Sequence, residues 1–451
     1  MQKFEREHLN NQDQRRYIFL RFRKGCKAVF TDWRKTVVLV AYAILAIWLI
    51  DIDVMRDSVS SISYGYTGIF SILEMLRKME QTLIQYVICL AFLLGAFLLL
   101  VSLGTPIGSR GMRDSFLRIG LINHAGEAPL LIGKSKDKTD KRITILEFVT
   151  HGIPLNKWQD TQLEIEATLN VNVVKVTAGK NKHYVLLHTI PAKYNLPEVI
   201  HWHDSYLDNY ADRKGFILLL GESLLGVEEV DLSRTPHILL GGSTGSGKSV
   251  LLKLLLRQCV KKGALVTIAD FKGGVDFSPE WHKQCEIIVN ENILLEKLEE
   301  LTQELERRKT LLAELGCANI DAYVKKTKSD LVRLIFACDE VAELLDKTGL
   351  DKEKKAIIVS IEGKISTLAR LGRAFGIHLI LATQRPDANI LTGQVKNNLD
   401  YRVCGRADNT LSIIILDNGS ASDMIPSDAQ GRFINRDGTV FQAYWFDEEL
   451  Q

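Results

Sequence analysis

The pattern of apolar and polar positions begins with two uncharged runs, 15 residues long at 36–50 and 19 residues long at 86–104. A transmembrane helix needs about 20 apolar residues. The runs therefore predict a hairpin of two spans over 36–104 with a short external loop, the first span extending to Ile52 or Val54. The alternative is that one or both runs are buried core helices.

Further along the chain the pattern predicts two units that mix helices and strands. Residues 105–142 have a mixed composition and a charge run at 133–142, and they predict a linker followed by a solvated loop. Residues 143–210 contain a strand, an amphipathic helix and two strands, which predict a small α+β adaptor domain ending in a connector at 191–210. Over 215–451, strands and helices alternate with long apolar runs, which is typical of a parallel α/β sheet.

The basic residues orient the predicted hairpin. The leader at 1–35 and the segment after the second run are rich in Arg and Lys, whereas acidic residues outnumber basic ones in the loop at 51–85. Short segments that carry Arg and Lys stay in the cytoplasm. We therefore expect a multi-pass cell-membrane protein with two spans and with both termini in the cytoplasm. The basic leader either enforces this topology alone or also contacts anionic lipid headgroups or DNA.

Composition limits the classes of function. The chain of 451 residues is long enough for two or three domains. Its formal net charge is only +2, so a site for a polyanion would be local rather than spread over the molecule. The seven cysteines lack the spacing of a zinc site or a disulfide framework and are typical of reduced thiols.

One glycine-rich loop carries the most specific chemistry. The apolar strand at 237–242 leads into "GGSTGSGKS" at 241–249, and an amphipathic helix follows over 249–263. In this P-loop pattern the backbone N–H groups surround a phosphate, the lysine supplies positive charge and the final hydroxyl ligates Mg²⁺. The predicted ATP-binding residues are Gly242, Ser243, Thr244, Gly245, Ser246, Gly247, Lys248 and Ser249.

Two later strands end in residues that would complete a hydrolytic site. The strand "LIFACDE" ends in Asp339, predicted with Ser249 to ligate Mg²⁺, and in Glu340, predicted as the base that polarises water. The strand "IHLILATQ" ends in Gln384, predicted to sense the γ-phosphate, with Thr383 beside it. Together these residues indicate an ATPase that couples hydrolysis to mechanical work.

Five segments resemble the FtsK/SpoIIIE family of DNA-translocating ATPases in order and spacing. They are "TPHILLGGSTGSGKSVLL", "ADFKGGVDF", "ELERRKTLLAELGCANIDAY", "CDEVAELL" and "RAFGIHLILATQRPDANILTG". The resemblance runs from about Phe216 to Phe433. It implies a RecA-like P-loop NTPase motor that forms a homohexameric ring around DNA and hydrolyses ATP between subunits.

Hydrolysis between subunits implies an arginine that acts on the neighbour's ATP. Arg373 in "GRAFGIH" is the first candidate and Arg406 in "CGRADN" the second, although either could instead pair within its own subunit. The resemblance also implies DNA contacts on pore loops, and we expect these on the Lys272 loop and on the loop after Gln384.

The chain departs from the chromosome translocases of that family, which have four spans, a long linker and a winged-helix reader of DNA sequence. With two predicted spans and an end at Gln451, soon after the motor, it is most similar to the coupling proteins of Gram-positive conjugative transposons. This resemblance implies relaxase and conjugation-channel proteins as further partners. Two alternatives remain, an ATPase of a protein-export system and a chromosome-segregation translocase. The Lys248, Asp339, Glu340 and Gln384 set opposes a third, a scaffold that uses ATP only to assemble.

Overall fold

The computed structural model describes residues 18–58, 69–138, 140–210, 213–271, 276–384 and 393–447, with the backbone alone at 49–58, 69–75, 77, 78, 80–82, 84, 85 and 394. Contacts divide the chain into one unit that ends at Pro191 and a second that begins at Ala192. Each unit has its own buried apolar core.

The first unit consists of long helices followed by a small domain. Its helices are α1 (18–31), α2 (Trp33–Ser58), α3 (Ile69–Leu103), α4 (Ser109–Arg118), α5 (Leu155–Asp160) and α6 (Gln162–Leu169). Its strands are β1 (Leu130–Lys136), β2 (Thr144–Val149), β3 (Val171–Ala178) and β4 (Tyr184–Pro191), which form an antiparallel sheet in the order β1-β2-β4-β3. The strand, helix and two strands expected over 143–190 are present as β2, α6, β3 and β4.

Helices α2 and α3 lie side by side and run in opposite directions. Lys35 Nζ donates a hydrogen bond to the Leu103 carbonyl at 3.2 Å, and the Tyr42 hydroxyl donates to the Phe92 carbonyl at 2.9 Å. Among the described residues, one stretch of 18 residues, Tyr86–Leu103, is long and apolar enough to cross a membrane, and none of it is buried. The other predicted span lies in α2, whose side chains after Trp48 are outside the description, so the two-span anchor stays a prediction.

The segment 105–142 is not the linker that its composition predicts. Phe116 on α4 and Leu131 on β1 are fully buried. The Phe116 ring lies 5.2 Å from Phe148 and 5.7 Å from Trp158, between centroids, in the core of the small domain. The charge run obscured β1 because only the first three residues of this strand are buried and its last three are exposed.

The second unit contains one large sheet. Its strands are β5 (Ile200–His201), β6 (Ile217–Ser223), β7 (Gly226–Asp231), β8 (Ile238–Gly241), β9 (Leu265–Ala269), β10 (Glu286–Ile288), β11 (Leu334–Cys338), β12 (Ile377–Thr383), β13 (Tyr401–Cys404), β14 (Arg432–Asn435) and β15 (Val440–Trp445). Its helices are α7 (Lys248–Lys261), α8 (Pro279–Gln284), α9 (Glu291–Glu314), α10 (Ile320–Thr327), α11 (Val341–Leu345), α12 (Lys352–Phe375), α13 (Gly393–Lys396), α14 (Asn409–Leu416) and α15 (Ser420–Met424), with a 3₁₀ helix at Asp204–Tyr210.

This sheet is mixed, which corrects the expectation of a purely parallel one. The order is β10-β9-β11-β12-β8-β13-β14-β15-β6-β7, with β5 beside β15. The first six strands in this order, from β10 to β13, pair in parallel. The last four, β14, β15, β6 and β7, pair antiparallel. The first five residues of β6 are all buried, which is typical of a strand in a parallel sheet. However, β6 pairs antiparallel with β7, which follows after a tight turn.

The connector belongs to this second unit, so the adaptor domain ends at Pro191 and not at residue 210 as predicted. Trp202 of the connector is 2% exposed, and its backbone N–H donates to the Trp445 carbonyl at 2.8 Å. The polar composition of 191–210 concealed this attachment, because the contact is made with a strand more than two hundred residues later.

Candidate active site

The parallel half of the sheet brings the predicted site residues together at one edge. Strand β8 lies between β12 and β13, with Gly241 opposite Thr383 and Cys404, and β11 lies on the far side of β12. The carboxyl ends of parallel strands share an edge, where ligands bind in such folds. The loops that follow β8, β11 and β12 therefore meet there.

The P-loop joins β8 to α7 in a conformation that requires glycine. Gly242 and Gly247 have φ angles of 152° and 96°, which residues with a Cβ rarely adopt. A Cβ on Gly247 would lie 3.1 Å from the backbone nitrogen of Gly431. That N–H of Gly431 donates to the Ser246 carbonyl at 2.9 Å, so the segment before β14 supports the loop from outside.

Lys248 and Asp339 form a buried pair below the loop. Lys248 Nζ donates to the Asp339 backbone carbonyl at 2.5 Å and lies 3.1 Å from Asp339 Oδ1. Each side chain is 3% exposed. A buried charge is costly unless it is paired and hydrogen-bonded. The amine and the carboxylate thus each compensate the burial of the other.

Ser249 and Asp339 fit the predicted Mg²⁺ site. Magnesium takes octahedral oxygen ligands at about 2.0–2.1 Å, which places adjacent ligands about 3 Å apart. Ser249 Oγ lies 3.2 Å from Asp339 Oδ1, although the two residues are 90 positions apart in the sequence. A hydroxyl and a carboxylate at this spacing are the side chains that would hold the ion.

Glu340 is oriented by the end of the neighbouring strand β12. The Thr383 hydroxyl donates to Glu340 Oε1 at 2.7 Å, and the Gln384 backbone N–H donates to Oε2 at 2.9 Å. Glu340 is 8% exposed and Thr383 is fully buried. One donor on each oxygen fixes the plane of the carboxylate, which remains able to accept a proton from a nearby water.

Gln384 also contacts the P-loop. The Thr244 hydroxyl donates to Gln384 Oε1 at 2.8 Å. The side chain of Gln384 therefore touches the phosphate-binding loop, while its backbone holds Glu340. One residue at the end of β12 thus connects the two parts of the site.

The two predicted arginines lie in different places. Arg406, after β13, donates to the Thr244 carbonyl at 2.7 Å and to the Ser427 carbonyl at 2.8 Å, so it braces the P-loop of its own chain. Arg373 is exposed in the last turn of α12 and precedes β12. It therefore lies at the opposite edge of the sheet, roughly 20 Å along the strand from the P-loop. The structure does not bring Arg373 to the site of its own chain.

Two thiols next to the site are chemically inert. Cys338 and Cys404 end the strands β11 and β13 and are buried. Burial raises the pKa of each thiol to about 12. Because the thiolate is the reactive form of cysteine, neither side chain can act as a nucleophile at neutral pH.

Sequence reasoning did not find the supports of the site. The contact of Gly431 with Ser246 and the bracing role of Arg406 depend on β13 and β14 lying next to β8, which no local pattern reveals. Thr383 was noted only as a neighbour of Gln384. The Lys272 loop and the loop after Gln384, both predicted to contact DNA, include residues 272–275 and 385–392, which lie outside the described residues.

Two segments of the chain match known protein families. Residues 286–388 match the FtsK/SpoIIIE family. Residues 226–293 match the DNA-binding domain of type IV secretion-system coupling proteins. The two matched segments together run from β7 to β12 and contain the P-loop, Asp339, Glu340 and Gln384.

Curated relatives include DNA translocases named FtsK. That of Treponema pallidum (strain Nichols) is 29% identical over 305 residues, which cover 63% of this chain and 36% of the relative. That of Helicobacter pylori (strain J99) is 34% identical over 223 residues, which cover 46% of this chain and 25% of the relative. The chain therefore spans between a quarter and about a third of the length of these relatives.

A solved structure covers more of the chain. The pCW3 conjugation coupling protein TcpA, solved in a monomer form with ATPγS, is 36% identical in sequence. The superposition covers 76% of this chain and 96% of the TcpA chain, with a TM-score of 0.56.

Proposed function

Because the chain belongs to the FtsK/SpoIIIE family, we propose that it is a membrane-anchored ATPase that translocates DNA and delivers it to a conjugative transfer channel. The observation that carries the proposal is the hydrolytic set at one sheet edge, in which the Lys248–Asp339 pair lies beside the oriented carboxylate of Glu340. The similarity to TcpA, a conjugation coupling protein, supports the conjugative role.

The residues of the site divide the chemistry among them. ATP with Mg²⁺, when bound, supplies the phosphoryl group whose transfer to water releases free energy. The P-loop N–H groups and Lys248 would neutralise phosphate charge, and Ser249 and Asp339 would hold the ion. Glu340 orients the attacking water and accepts its proton. Gln384, which is hydrogen-bonded to Thr244 and to Glu340, relays the loss of the γ-phosphate to the rest of β12.

The first unit supports membrane anchoring. The α3 stretch Tyr86–Leu103 is uncovered over its whole length. Apolar side chains of α2 are also exposed, Ile44 at 62% and Ile47 at 66%. Two antiparallel apolar helices without a protein cover would lie in lipid at little cost, whereas in water they expose a large apolar surface. We propose two spans with both termini in the cytoplasm, a homohexameric motor, and DNA, relaxase and channel proteins as partners.

The proposal is tested by ATP turnover of the purified full-length protein with and without DNA at low salt. We expect DNA to bind, to stimulate turnover, and to lose this effect as salt rises, because phosphate contacts release counterions. Lys248→Ala should reduce turnover at least about a hundredfold by removing charge stabilisation at the phosphates. If DNA does not change the rate of turnover and does not bind at low salt, the protein is not a DNA translocase.

The turnover assay and a mating assay separate the alternatives. An ATPase of a protein-export system would respond to a secreted polypeptide and not to DNA. A chromosome-segregation translocase would respond to DNA, but its loss would impair chromosome partition and leave conjugative transfer intact. A mating assay with a strain lacking the gene therefore distinguishes this role from the conjugative one.

A further inference from the structure

Helix α1 exposes one row of side chains, which we define as the basic–aromatic stripe and which consists of Phe19, Arg23, Lys27 and Phe30. Their spacings of three and four residues place all of them on one face of the helix. Phe19 and Phe30 are 67% and 90% exposed, and Arg23 and Lys27 are also exposed. The stripe therefore presents two phenyl rings with two positive charges between them.

Other faces of α1 are held by protein. Gly25 and Val29 are buried. Lys24 Nζ donates to the Ile132 carbonyl on β1 at 2.8 Å and to a carboxylate oxygen of Glu147 on β2 at 2.9 Å. These contacts fix the rotation of α1 about its own axis, so the stripe stays exposed.

The charges of the stripe differ from the other positive charges of α1. Residues 18–31 contain no Asp or Glu. Lys24 is paired with Glu147, and Arg21 donates to Ser109 Oγ at 3.4 Å. Within the described part of the chain, Arg23 and Lys27 have no acidic partner. The stripe therefore favours an anionic ligand from outside the chain.

The stripe lies next to one end of the two long apolar helices. Lys35 at the start of α2 donates to the carbonyl of Leu103, the last residue of α3, so the apolar stretch Tyr86–Leu103 ends where α2 begins. Trp33 at this end is exposed, and the Arg34 guanidinium lies 5.9 Å from the centre of its ring. Aromatic and basic side chains of this kind are enriched where the hydrocarbon of a bilayer meets the headgroups.

We propose that the basic–aromatic stripe binds the headgroups of anionic phospholipids in the cytoplasmic leaflet. The inference rests on the membrane anchoring proposed above, which would place α1 at the level of the headgroups. Phe19 and Phe30 would then enter the boundary with the acyl chains, while Arg23 and Lys27 contact phosphates. DNA would satisfy the two charges as well, but it would leave both phenyl rings in water.

Lipid binding would also act on the small domain. A headgroup on the stripe holds α1 at the membrane surface, and Lys24 on the same helix holds β1 and β2 through Ile132 and Glu147. The sheet of the small domain would therefore be kept beside anionic lipid. Neutral lipid would hold α1 through the phenyl rings alone.

The test measures equilibrium binding of fluorescent phosphatidylglycerol and fluorescent phosphatidylcholine to the full-length protein in a neutral detergent. The double variant Arg23→Gln with Lys27→Gln should weaken phosphatidylglycerol binding about thirtyfold, or about a factor of five for each basic residue. Its binding of phosphatidylcholine should not change. Lys180→Gln with Lys182→Gln is the matched control, because it removes the same charge from the exposed turn between β3 and β4.

Two further measurements separate the parts of the stripe. Rising salt should weaken phosphatidylglycerol binding by the wild-type protein and have little effect on the Arg23→Gln with Lys27→Gln variant, because salt screens exposed charges. Phe19→Ser with Phe30→Ser should weaken the binding of both lipids, since the phenyl rings contact acyl chains whatever the headgroup.

The possible failures are distinguishable. Equal phosphatidylglycerol binding by the wild-type protein and the Arg23→Gln with Lys27→Gln variant overturns the lipid site alone. A variant that keeps this lipid but loses affinity for duplex DNA also overturns it, and identifies the stripe as a DNA contact. Release of the wild-type protein from membranes at alkaline pH overturns the proposed anchor together with the lipid site.

Discussion

At the residue scale, the contacts of Glu340 make it possible to test its chemical role separately from its structural role. Both carboxylate oxygens accept a hydrogen bond from the end of β12, so the side chain is already oriented before any ligand binds. Glutamine has nearly the same shape but cannot accept a proton from water, and its amide group would face one of the two donors.

We expect Glu340→Gln to bind ATP with little change in affinity and to lose turnover by about 10²–10⁴-fold, the usual size of a general-base effect. Equilibrium binding and steady-state hydrolysis measure the two quantities. Glu343→Gln is the matched control, because Glu343 is exposed on α11 three residues later. Comparable hydrolysis by both variants would remove Glu340 from the mechanism.

Two histidines at the other edge of the sheet link stability to pH. His237 and His378 are fully buried. The Leu379 N–H donates to His237 Nδ1 at 2.9 Å, and His378 Nε2 lies 3.0 Å from the Arg333 guanidinium. Burial lowers the pKa of His237 to about 4, and burial together with the Arg333 charge lowers the pKa of His378 well below its usual value.

Below pH of about 6.5 the unfolded chain binds a proton at His237, whereas the folded chain does so only near pH 4, and His378 shifts in the same direction. The free energy of unfolding should therefore fall as the pH is lowered through this window, by about 3 kcal/mol from His237 alone. Denaturant unfolding at pH 7.5 to 5 measures the slope. His237→Asn keeps an acceptor for Leu379 and should flatten the slope, whereas the exposed control His282→Asn should not.

At the scale of elements, α1 and the end of α3 approach so closely that only glycine fits between them. A Cβ on Gly104 would lie 2.0 Å from the Arg21 carbonyl oxygen, and one on Gly25 would lie 1.9 Å from the Leu100 carbonyl oxygen. Phe22 stacks on Phe97 beside this crossing, with centroids 5.0 Å apart. The backbones themselves are in contact, which sets the position of α1 on α3.

Gly104→Ala should separate the two helices and destabilise the first unit by about 1–3 kcal/mol, the usual cost of overpacking. Thermal unfolding in detergent measures the change. Gly111→Ala on α4 is the control, since nothing lies within 4 Å of a Cβ built there. Equal melting temperatures for the two variants would contradict a tight crossing.

The elements that sequence could predict are those with strong local signals. The strands β8, β11 and β12 follow from apolar runs, the helix α7 from its amphipathic pattern, and the P-loop from its glycines. Strand β1 was missed because its last residues are exposed and belong to a charge run, and the connector was missed because its partner β15 lies more than two hundred residues later. The antiparallel half was missed because burial on both faces removes the alternation that distinguishes such strands.

At the scale of the whole molecule, the position of Arg373 is compatible with a role in catalysis only in an assembly of subunits. It is exposed at the sheet edge opposite its own P-loop. A role in catalysis would therefore require a neighbouring subunit whose P-loop faces this edge. Arg406, the other candidate, is already bonded to two carbonyls of its own chain.

We expect Arg373→Ala subunits to lower the ATP turnover of mixed oligomers more steeply than their fraction, because each one disables the site of a wild-type neighbour. Turnover measured across a series of mixing ratios gives the curve. Arg370→Ala, one helical turn earlier on α12, is the control. A linear decline identical to that of the control would exclude Arg373 as the arginine that acts in trans.

The order of the strands also determines when the protein can first work. Thr244 and Gln384 bond across 140 positions of sequence, and β8 pairs only with strands that follow it at such distances. During synthesis β8 leaves the ribosome with both of its edges unpaired, and they stay so until β12 and β13 arrive. A product truncated before residue 377 would therefore carry the whole P-loop motif but lack both strands that hold β8 in the sheet.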